Sequence, residues 1–258
     1  ALGMPRRLRI AGRSALGLMA FVAIWQAIHL LWGPFVLPSP GATLAQLLIL
    51  VAAADTWRVF ARTAAAALGG FAGASLVGIG LGLAAGRSRV LYDLVNPSVV
   101  VILGVPPIAW VVLALLWFGA SGAGAALTAG LALLPLVFAA TVQGVRALDP
   151  GLEAMARAFG AGRGQRLFEL RLPQLASHVV PALATAHGIA WKATVMAEVL
   201  GAGRGLGAEL ALARTQLDLP RAMALVALAA IAVLAADALV LDPWRRRVEA
   251  WRRDAAAC

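Results

Sequence analysis

The chain has 258 residues, of which 62% are hydrophobic and only 13% charged, and its mean hydropathy is +0.87. Soluble domains carry about 25% charged residues, so the composition excludes a disordered chain, a coiled coil and an ordinary soluble enzyme. The 22 Lys and Arg outnumber the 12 Asp and Glu, but they lie in short clusters between uncharged stretches. This pattern is typical of membrane topology signals and argues against nucleic-acid binding.

Uncharged windows predict six membrane-spanning helices, because a bilayer core of about 30 Å needs about 20 apolar residues per helix. The glycine-rich run from Phe118 to Gly124 predicts a tight turn after the third window. Pro106-Pro107 and Pro135 predict kinks in the third and fourth spans. The only cysteine is Cys258, so no disulfide within the chain is expected. The six windows are 15–32, 63–86, 98–117, 123–142, 179–200 and 221–241, of which the fifth is interrupted by Lys192 and Glu198 and the sixth by Asp237.

Arginine placement predicts the orientation. Sixteen basic residues fall on the side that holds both termini and five on the other, and short basic loops stay in the cytoplasm. We therefore expect a multi-pass membrane protein with both termini cytoplasmic. The predicted division is a cytoplasmic segment 1–14, a first span with an external helix 15–60, a five-span core 61–241 and a cytoplasmic tail 242–258.

Two local patterns accompany the first spans. Thr43 is predicted to cap an external interfacial helix whose apolar face carries Leu44, Leu47, Leu48 and Val51. In the second span, five glycines, several of them four residues apart, predict close helix packing within the subunit. These glycines are Gly69, Gly73, Gly78, Gly82 and Gly86.

The loop 143–178 contains a predicted two-helix elbow. Asp149 is placed as an N-cap with Pro150 at the first helical position, and Gly160 ends the helix. Leu152, Met155, Ala156 and Phe159 recur at helical spacing and form one apolar face. A second helix, 165–171, is expected to break at Leu172-Pro173. Such an elbow either docks into a groove of another protein or lies on lipid, and periodicity alone favours neither.

The elbow sequence resembles the EAA loop of ABC importer permeases, most closely those of the nitrate/sulfonate/taurine branch of binding-protein-dependent transport. The resemblance rests on Asp149-Pro150-Gly151-Leu152-Glu153-Ala154-Met155-Ala156-Arg157-Ala158-Phe159-Gly160-Ala161, with Pro173 thirteen residues after Gly160. Further matching pieces are Leu37-Pro38-Ser39-Pro40, Gly86-Arg87-Ser88, Leu116-Trp117-Phe118-Gly119, Ala197-Glu198 and Gly205-Leu206-Gly207. Together they cover about residues 20 to 250.

The resemblance implies an all-α, multi-pass protein of the bacterial inner membrane with the type I ABC importer permease fold. Such a protein is a transporter subunit and not an enzyme. The resemblance implies no catalytic residue, metal or cofactor on this chain, because ATP and Mg would bind separate ATPase subunits. The implied partners are a second, identical permease subunit, two ATPase subunits and an external or periplasmic solute-binding protein. The sequence agrees in lacking a G-x-x-x-x-G-K-[ST] phosphate loop.

The ATPase-coupling residues implied by the resemblance lie in the elbow. They are Leu152, Glu153, Ala154, Met155, Ala156, Arg157, Phe159, Gly160, Ala161, Arg163 and Pro173. Counted from Gly160, the family's glutamate position falls at Ala154, whereas this chain has its acid one residue earlier, at Glu153. That step rotates a helical side chain by about 100°, which leaves open whether Glu153 makes the family's contact.

Polar residues in the fifth span are candidates for the translocation path, because burying them in lipid is costly. His187, Trp191, Thr194 and Glu198 share one helical face, and Lys192 lies about 140° from His187. In one interpretation they line the path and Lys192 attracts a small anionic solute such as a sulfonate or nitrate. In the other, Glu198 lies at the outer interface, Lys192 pairs with Asp237 and His187 is a packing contact.

Two other classes of protein are alternatives. A six-span channel or secondary transporter fits the span count, but the sequence shows no convincing internal repeat. A rhomboid-type intramembrane serine protease would use Ser121 and a later histidine. Ser121 falls in a predicted external turn, which argues against that chemistry.

Overall fold

A computed structural model describes residues 6–201, 203–236 and 238 of the chain, and all of their side chains except those of 6–14 and 236. The described residues form helices and turns, without a β-strand. The helices are α1 (Arg6–Trp32), α2 (Pro40–Ala52), α3 (Ala54–Arg87), α4 (Arg89–Gly104), α5 (Pro107–Phe118), α6 (Gly122–Arg146), α7 (Pro150–Ala158), α8 (Arg163–Gln165), a π-helix (Arg166–Arg171), α9 (Leu172–Gly201), α10 (Leu206–Thr215) and α11 (Leu219–Ala236). Residues 1–5, Asp237, Cys258 and the predicted tail 242–258 lie outside the described residues.

Among the described helices, three are long and apolar enough to cross a membrane, or four if α4 and α5 count as one broken span. The three are Ala15–Trp32, Ala54–Arg87 and Gly122–Arg146. The 30-residue α9 is long enough to span a bilayer but carries Lys192 and Glu198. The count of six spans and the orientation therefore stay predictions.

The predicted third span is two helices rather than one kinked helix. The axes of α4 and α5 differ by 96°, and both Val105 (φ −78°, ψ 126°) and Pro106 (φ −56°, ψ 138°) have non-helical backbone conformations. A proline disfavours the helical conformation in the residue before it, and two successive prolines extend that restriction. Pro107 then begins α5. The predicted turn at 118–124 is confirmed, since α5 ends at Phe118 and α6 begins at Gly122.

The chain divides into two compact units, of which the first comprises Ala1–Trp57 and Glu209–Ala229. In this unit, the Trp25 ring Nε1 donates to the Pro38 carbonyl at 2.9 Å. The predicted cap of the external helix is wrong: Ser39 caps α2, because its hydroxyl accepts from the Ala42 amide at 3.1 Å. Thr43 lies one turn inside the helix and is buried.

The second unit comprises Arg58–Ala208 and Ala230–Cys258. Its core is the contact between α6 and α9, where Leu133 and Val137 pack against small residues of the facing helix. Because these facing residues are alanines, the two backbones approach closely. The small residues are Ala186, Ala190 and Ala193 of α9, together with Ala74 of α3.

The glycine ridge of the second span packs within this unit, but only in part as predicted. A Cβ added to Gly82 would lie 2.6 Å from the Thr141 Cβ, and one added to Gly86 would lie 2.6 Å from the Val145 Cβ. Gly78 faces Val137 in the same way, at 3.0 Å. Gly69 and Gly73 instead face open space, whereas Gly70, which the spacing did not select, lies against Ala126 and Ala129 of α6.

Candidate functional site

The ends of α7 follow directly from the local sequence. The Asp149 carboxylate accepts from the Gly151 amide at 2.7 Å and the Leu152 amide at 3.3 Å, which confirms the predicted N-cap. At the other end Gly160 has φ +76°, and the Ala161 amide reaches back to the Ala156 carbonyl at 2.9 Å. This Schellman-type ending needs a left-handed residue, which glycine adopts without strain.

One face of the elbow presents apolar side chains to its surroundings. Leu152, Met155 and Phe159 are all exposed, and Phe159 keeps 84% of its accessible surface. An exposed phenylalanine beside two other apolar side chains is characteristic of an interaction surface. The predicted apolar face is thus present, although Ala156 is only half-exposed.

The opposite side of α7 holds a partly exposed ion-pair cluster centred on Glu153, whose own side chain is buried. Its Oε1 accepts from Arg166 Nη1 at 2.8 Å and from Arg171 Nη2 at 2.8 Å, and its Oε2 accepts from Arg171 Nε at 3.1 Å. Arg157 makes a longer contact with Oε1, at 3.4 Å. This cluster, called the elbow clamp below, joins α7 to the π-helix with charge-assisted hydrogen bonds.

The structure shows where the side chain of Glu153 lies, one residue before the position at which the family has its glutamate. Ala154, at the position where the family has its glutamate, is exposed, whereas Glu153 points into the elbow. The hydrogen bond from Arg171 holds the pKa of the Glu153 carboxyl below its ordinary value, and the same bond raises the pKa of Arg171. Glu153 is therefore an ionised, internal brace. Arg166 and Arg171, which sequence reasoning did not select, complete it.

The predicted helix break at Leu172-Pro173 is wrong. Residues 166–171 form a π-helix that runs directly into α9, and the Leu172 amide donates to the Leu167 carbonyl, five residues back. Pro173 has no amide hydrogen, and the wider π-turn before it relieves the helix of one regular hydrogen bond. The Asp149 amide also donates to Gln174 Oε1 at 3.0 Å, which ties the start of the elbow to α9. Arg163 begins the short α8 and is exposed.

The predicted path face of α9 lies in the interior of the second unit. Trp191 and Thr194 are buried and His187 is half-buried. The His187 ring meets the Phe71 ring edge-on at 5.8 Å, and the Trp191 ring lies 5.4 Å from that of Phe60. Within the described residues, His187 Nε2, Trp191 Nε1 and Thr194 Oγ1 have no hydrogen-bond partner. The role of this face in transport stays a prediction.

Glu198, on the same face, belongs to a buried hydrogen-bonded cluster. Its Oε2 accepts from the Thr63 hydroxyl at 2.8 Å and from the Gly207 amide at 3.0 Å. The Thr63 oxygen accepts in turn from the Leu206 amide at 2.8 Å. This cluster joins α3, α9 and the start of α10. Sequence analysis noted Gly205-Leu206-Gly207 but missed Thr63, because nothing local links residues 135 positions apart.

Lys192 lies on the other side of α9, where it is exposed. His178 and Thr185 are exposed on the same stripe at seven-residue spacing, and neither was selected from the sequence. Within the described residues no carboxylate comes within 4.0 Å of Lys192; its predicted partner Asp237 lies outside them. A charged side chain at the centre of a bilayer costs about 2.5–3.5 kcal/mol on insertion scales.

Two further features concern the turn after α5. The Ser121 hydroxyl accepts from the Gly124 amide at 3.3 Å and caps α6, which gives this serine a structural role. Beside it, an open cavity of about 730 Å³ is bordered by two arginines, Arg62 and Arg204. The described lining contains no carboxylate, so the cavity presents positive charge.

These features describe a helical chain with helices long and apolar enough to cross a membrane and with an exposed elbow, and comparison with known proteins gives its family. Residues 74–253 match the model of the binding-protein-dependent transport system inner membrane component. The chain belongs to this family, and so is an inner-membrane component of a binding-protein-dependent transport system.

Curated relatives cover most of the chain. The taurine transport system permease protein TauC of Escherichia coli (strain K12) is 28% identical over 91% of this chain and 87% of its own length. The riboflavin transport system permease protein RibX of Chloroflexus aurantiacus is 30% identical over 93% and 86%. The nitrate import permease protein NrtB of Synechocystis is 29% identical over 76% and 74%. The relatives are transporter permease components, which agrees with the ABC permease class inferred from the elbow.

Proposed function

We propose that the chain is the transmembrane subunit of an ATP-driven importer and that its elbow receives the motion of an ATPase subunit. The observation that carries this proposal is the exposed apolar face at Phe159, mounted on a helix whose other side is fixed by the elbow clamp. A rigid part with an apolar knob suits docking into a groove of a partner protein. The functional assembly is two copies of this chain, two ATPase subunits and a solute-binding protein, with six spans per chain and both termini cytoplasmic.

The solute class that we propose is a small anion. Arg62 and Arg204 border one cavity without a carboxylate in its described lining, and Lys192 is exposed on α9. Positive groups around an opening raise the local concentration of anions. The nitrate and taurine systems named above make a nitrate- or sulfonate-like solute the natural first choice.

A substitution at the elbow tests the coupling role. The tagged chain is isolated from its native membranes with whatever ATPase accompanies it, and ATP hydrolysis per chain is measured. Phe159→Asp is expected to lower this activity at least tenfold, because a charge replaces the apolar knob. Phe35→Asp is the matched control, because Phe35 is equally exposed (86%) but lies between α1 and α2. Equal ATP hydrolysis per chain in the Phe159→Asp and Phe35→Asp variants would contradict the proposal.

A further inference from the structure

We propose that the exposed stripe of α9 around Lys192, rather than the buried face with His187, is the wall of the solute path, and that Lys192 and the gap at Gly188 form a contact site for a small oxyanion. This inference rests on the proposed transport function and names a site within it. The stripe comprises His178, Pro181, Thr185, Lys192 and Met196, which are exposed, and Gly188, which is half-buried.

The geometry of α9 sets the stripe apart from its other faces. His178, Thr185 and Lys192 recur every seven residues, which brings them to one side of the helix about 10.5 Å apart. All three are exposed. On the far side, Ala186, Ala190 and Ala193 pack against α6. The polar residues of the stripe are thus placed where no described helix covers them.

The charge of Lys192 argues against lipid as the neighbour of this stripe. Lys192 lies about 4 Å along the helix from the midpoint of the predicted span 179–200. The nearer edge of the hydrocarbon core is then about 11 Å away, further than a lysine side chain reaches. A lysine at that depth faces water, a counter-ion or a bound anion, and the described residues supply no carboxylate for it.

The backbone at Gly188 adds space beside this charge. A Cβ built on Gly188 meets no atom within 4 Å, although the residue lies in the middle of a helix whose other side is tightly packed. Gly188 is four residues, or about 6 Å, from Lys192 on adjoining turns. The open space beside Gly188 and the ammonium group of Lys192 together leave room for a small oxyanion between these two residues.

Thr185 has a supporting part. Its hydroxyl donates to the Pro181 carbonyl at 3.1 Å, so its hydrogen is already engaged in the helix and its oxygen can accept from water. The stripe therefore offers one cation, a hydroxyl oxygen that can accept, and open space beside the Gly188 backbone. Lys192 is the only Lys, Arg, Asp or Glu among the stripe residues, so the stripe attracts an anion more strongly than a cation.

Cysteine accessibility tests the inference without knowledge of the solute. In a Cys258→Ser background, Gly188→Cys and Thr185→Cys are each made in the full chain and studied in native membranes. The probes are two thiosulfonate reagents, the anionic sulfonatoethyl and the cationic trimethylammonioethyl form. Leu76→Cys is the control, because Leu76 is 77% exposed on α3 among other exposed apolar residues. A thiol in lipid reacts slowly, since the thiolate is the reacting form.

Three results decide the matter. We expect both α9 cysteines to react at least tenfold faster than Leu76→Cys, and the anionic reagent to be favoured. Adding Lys192→Gln should lower the ratio of anionic to cationic rates about threefold or more, because a unit charge within about 10 Å is removed. Slow reaction at both α9 positions would show that lipid or another subunit covers the stripe, and an unchanged ratio would show that Lys192 selects no anion. Either outcome overturns this inference while leaving the ATPase test of the elbow unaffected.

Discussion

Arg171 grips Glu153 at two points across 18 residues of chain, with its Nε 3.1 Å from Oε2 and its Nη2 2.8 Å from Oε1. The pairing is bidentate, which a guanidinium can make and an ammonium cannot. It fixes the angle between α7 and the π-helix. The apolar knob at Phe159 is held at a defined orientation because of this pair.

Removing the charge of Glu153 should loosen the elbow. In Glu153→Gln, Arg166 and Arg171 face a neutral amide. The segment between α7 and the π-helix should therefore unfold locally more often. We expect trypsin to cleave at Arg157, Arg163 and Arg166 several-fold faster than in the parent protein. Glu169→Gln, an exposed change in the same π-helix, should leave the cleavage rate unchanged. An equal rate for Glu153→Gln and the parent would contradict the bracing role.

Arg171→Lys tests the bidentate geometry itself. The substitution keeps the positive charge but offers a single ammonium, so only one of the two contacts with Glu153 survives. We expect cleavage rates between those of the parent and Glu153→Gln, together with reduced ATP-driven uptake. A lysine variant that matches the parent in both measurements would show that charge alone is enough.

The elbow clamp should be insensitive to pH over the neutral range. The pKa of the Glu153 carboxyl is lowered in the folded chain, so the ion pair contributes stability at every pH above the ordinary glutamate pKa of about 4.3. That contribution is lost as the pH falls through the lower, folded-state value. Amide exchange across 150–171, corrected for intrinsic rates, should show constant protection from pH 8 to 5 and a decline below about pH 4. The Glu153→Gln chain should show no such decline.

The buried cluster at Glu198 should contribute to the stability of the bundle. Thr63→Val leaves the Leu206 amide without an acceptor and removes one hydrogen bond to Glu198, which costs about 1–3 kcal/mol for buried groups. Thr141→Val is the control, because the Thr141 hydroxyl bonds only to the Val137 carbonyl of its own helix. Unfolding in a graded detergent series measures both. Similar losses for the two variants would argue against a role for the cluster.

The packing of α3 on α6 gives a prediction of opposite signs at two nearby glycines. Gly82→Ala forces a methyl against Thr141, and overpacking of this kind costs about 1–3 kcal/mol. Gly80→Ala meets open space and should stabilise the helix by up to about 1 kcal/mol, through the higher helix propensity of alanine. The two midpoints in the same unfolding assay should move in opposite directions.

Local chemistry made parts of this structure readable from the sequence. The start of α7 at Asp149-Pro150 and its end at Gly160 follow from capping rules that need no tertiary information. The break after Val105 was expected as a kink, but its 96° angle depends on two successive non-helical residues. The path of the chain through Pro173 was misread, because the π-turn that accommodates it has no sequence signal of its own.

The two faces of α9 could not be told apart from the sequence. Both carry polar residues at helical spacing, so periodicity could not tell which one is buried. The choice is made by alanines that let α6 pack against one side, and by the aromatic rings of Phe60 and Phe71 that meet Trp191 and His187. The two ring contacts join residues more than 100 positions apart. The alanines of α9 lie far along the chain from their partners in α6, so no local pattern encodes either set of contacts.

The π-helix and α9 form one unbroken rod from Arg166 to Gly201. Arg171 and Lys192 are 21 residues apart on that rod, or about 32 Å. No loop separates them, and Pro173 and Pro181 are the two positions between them without a backbone donor. A rotation of the elbow would therefore be transmitted along this helix to the middle of the second unit. Arg171, which holds Glu153, and Lys192, which is proposed to contact the solute, would then rotate together.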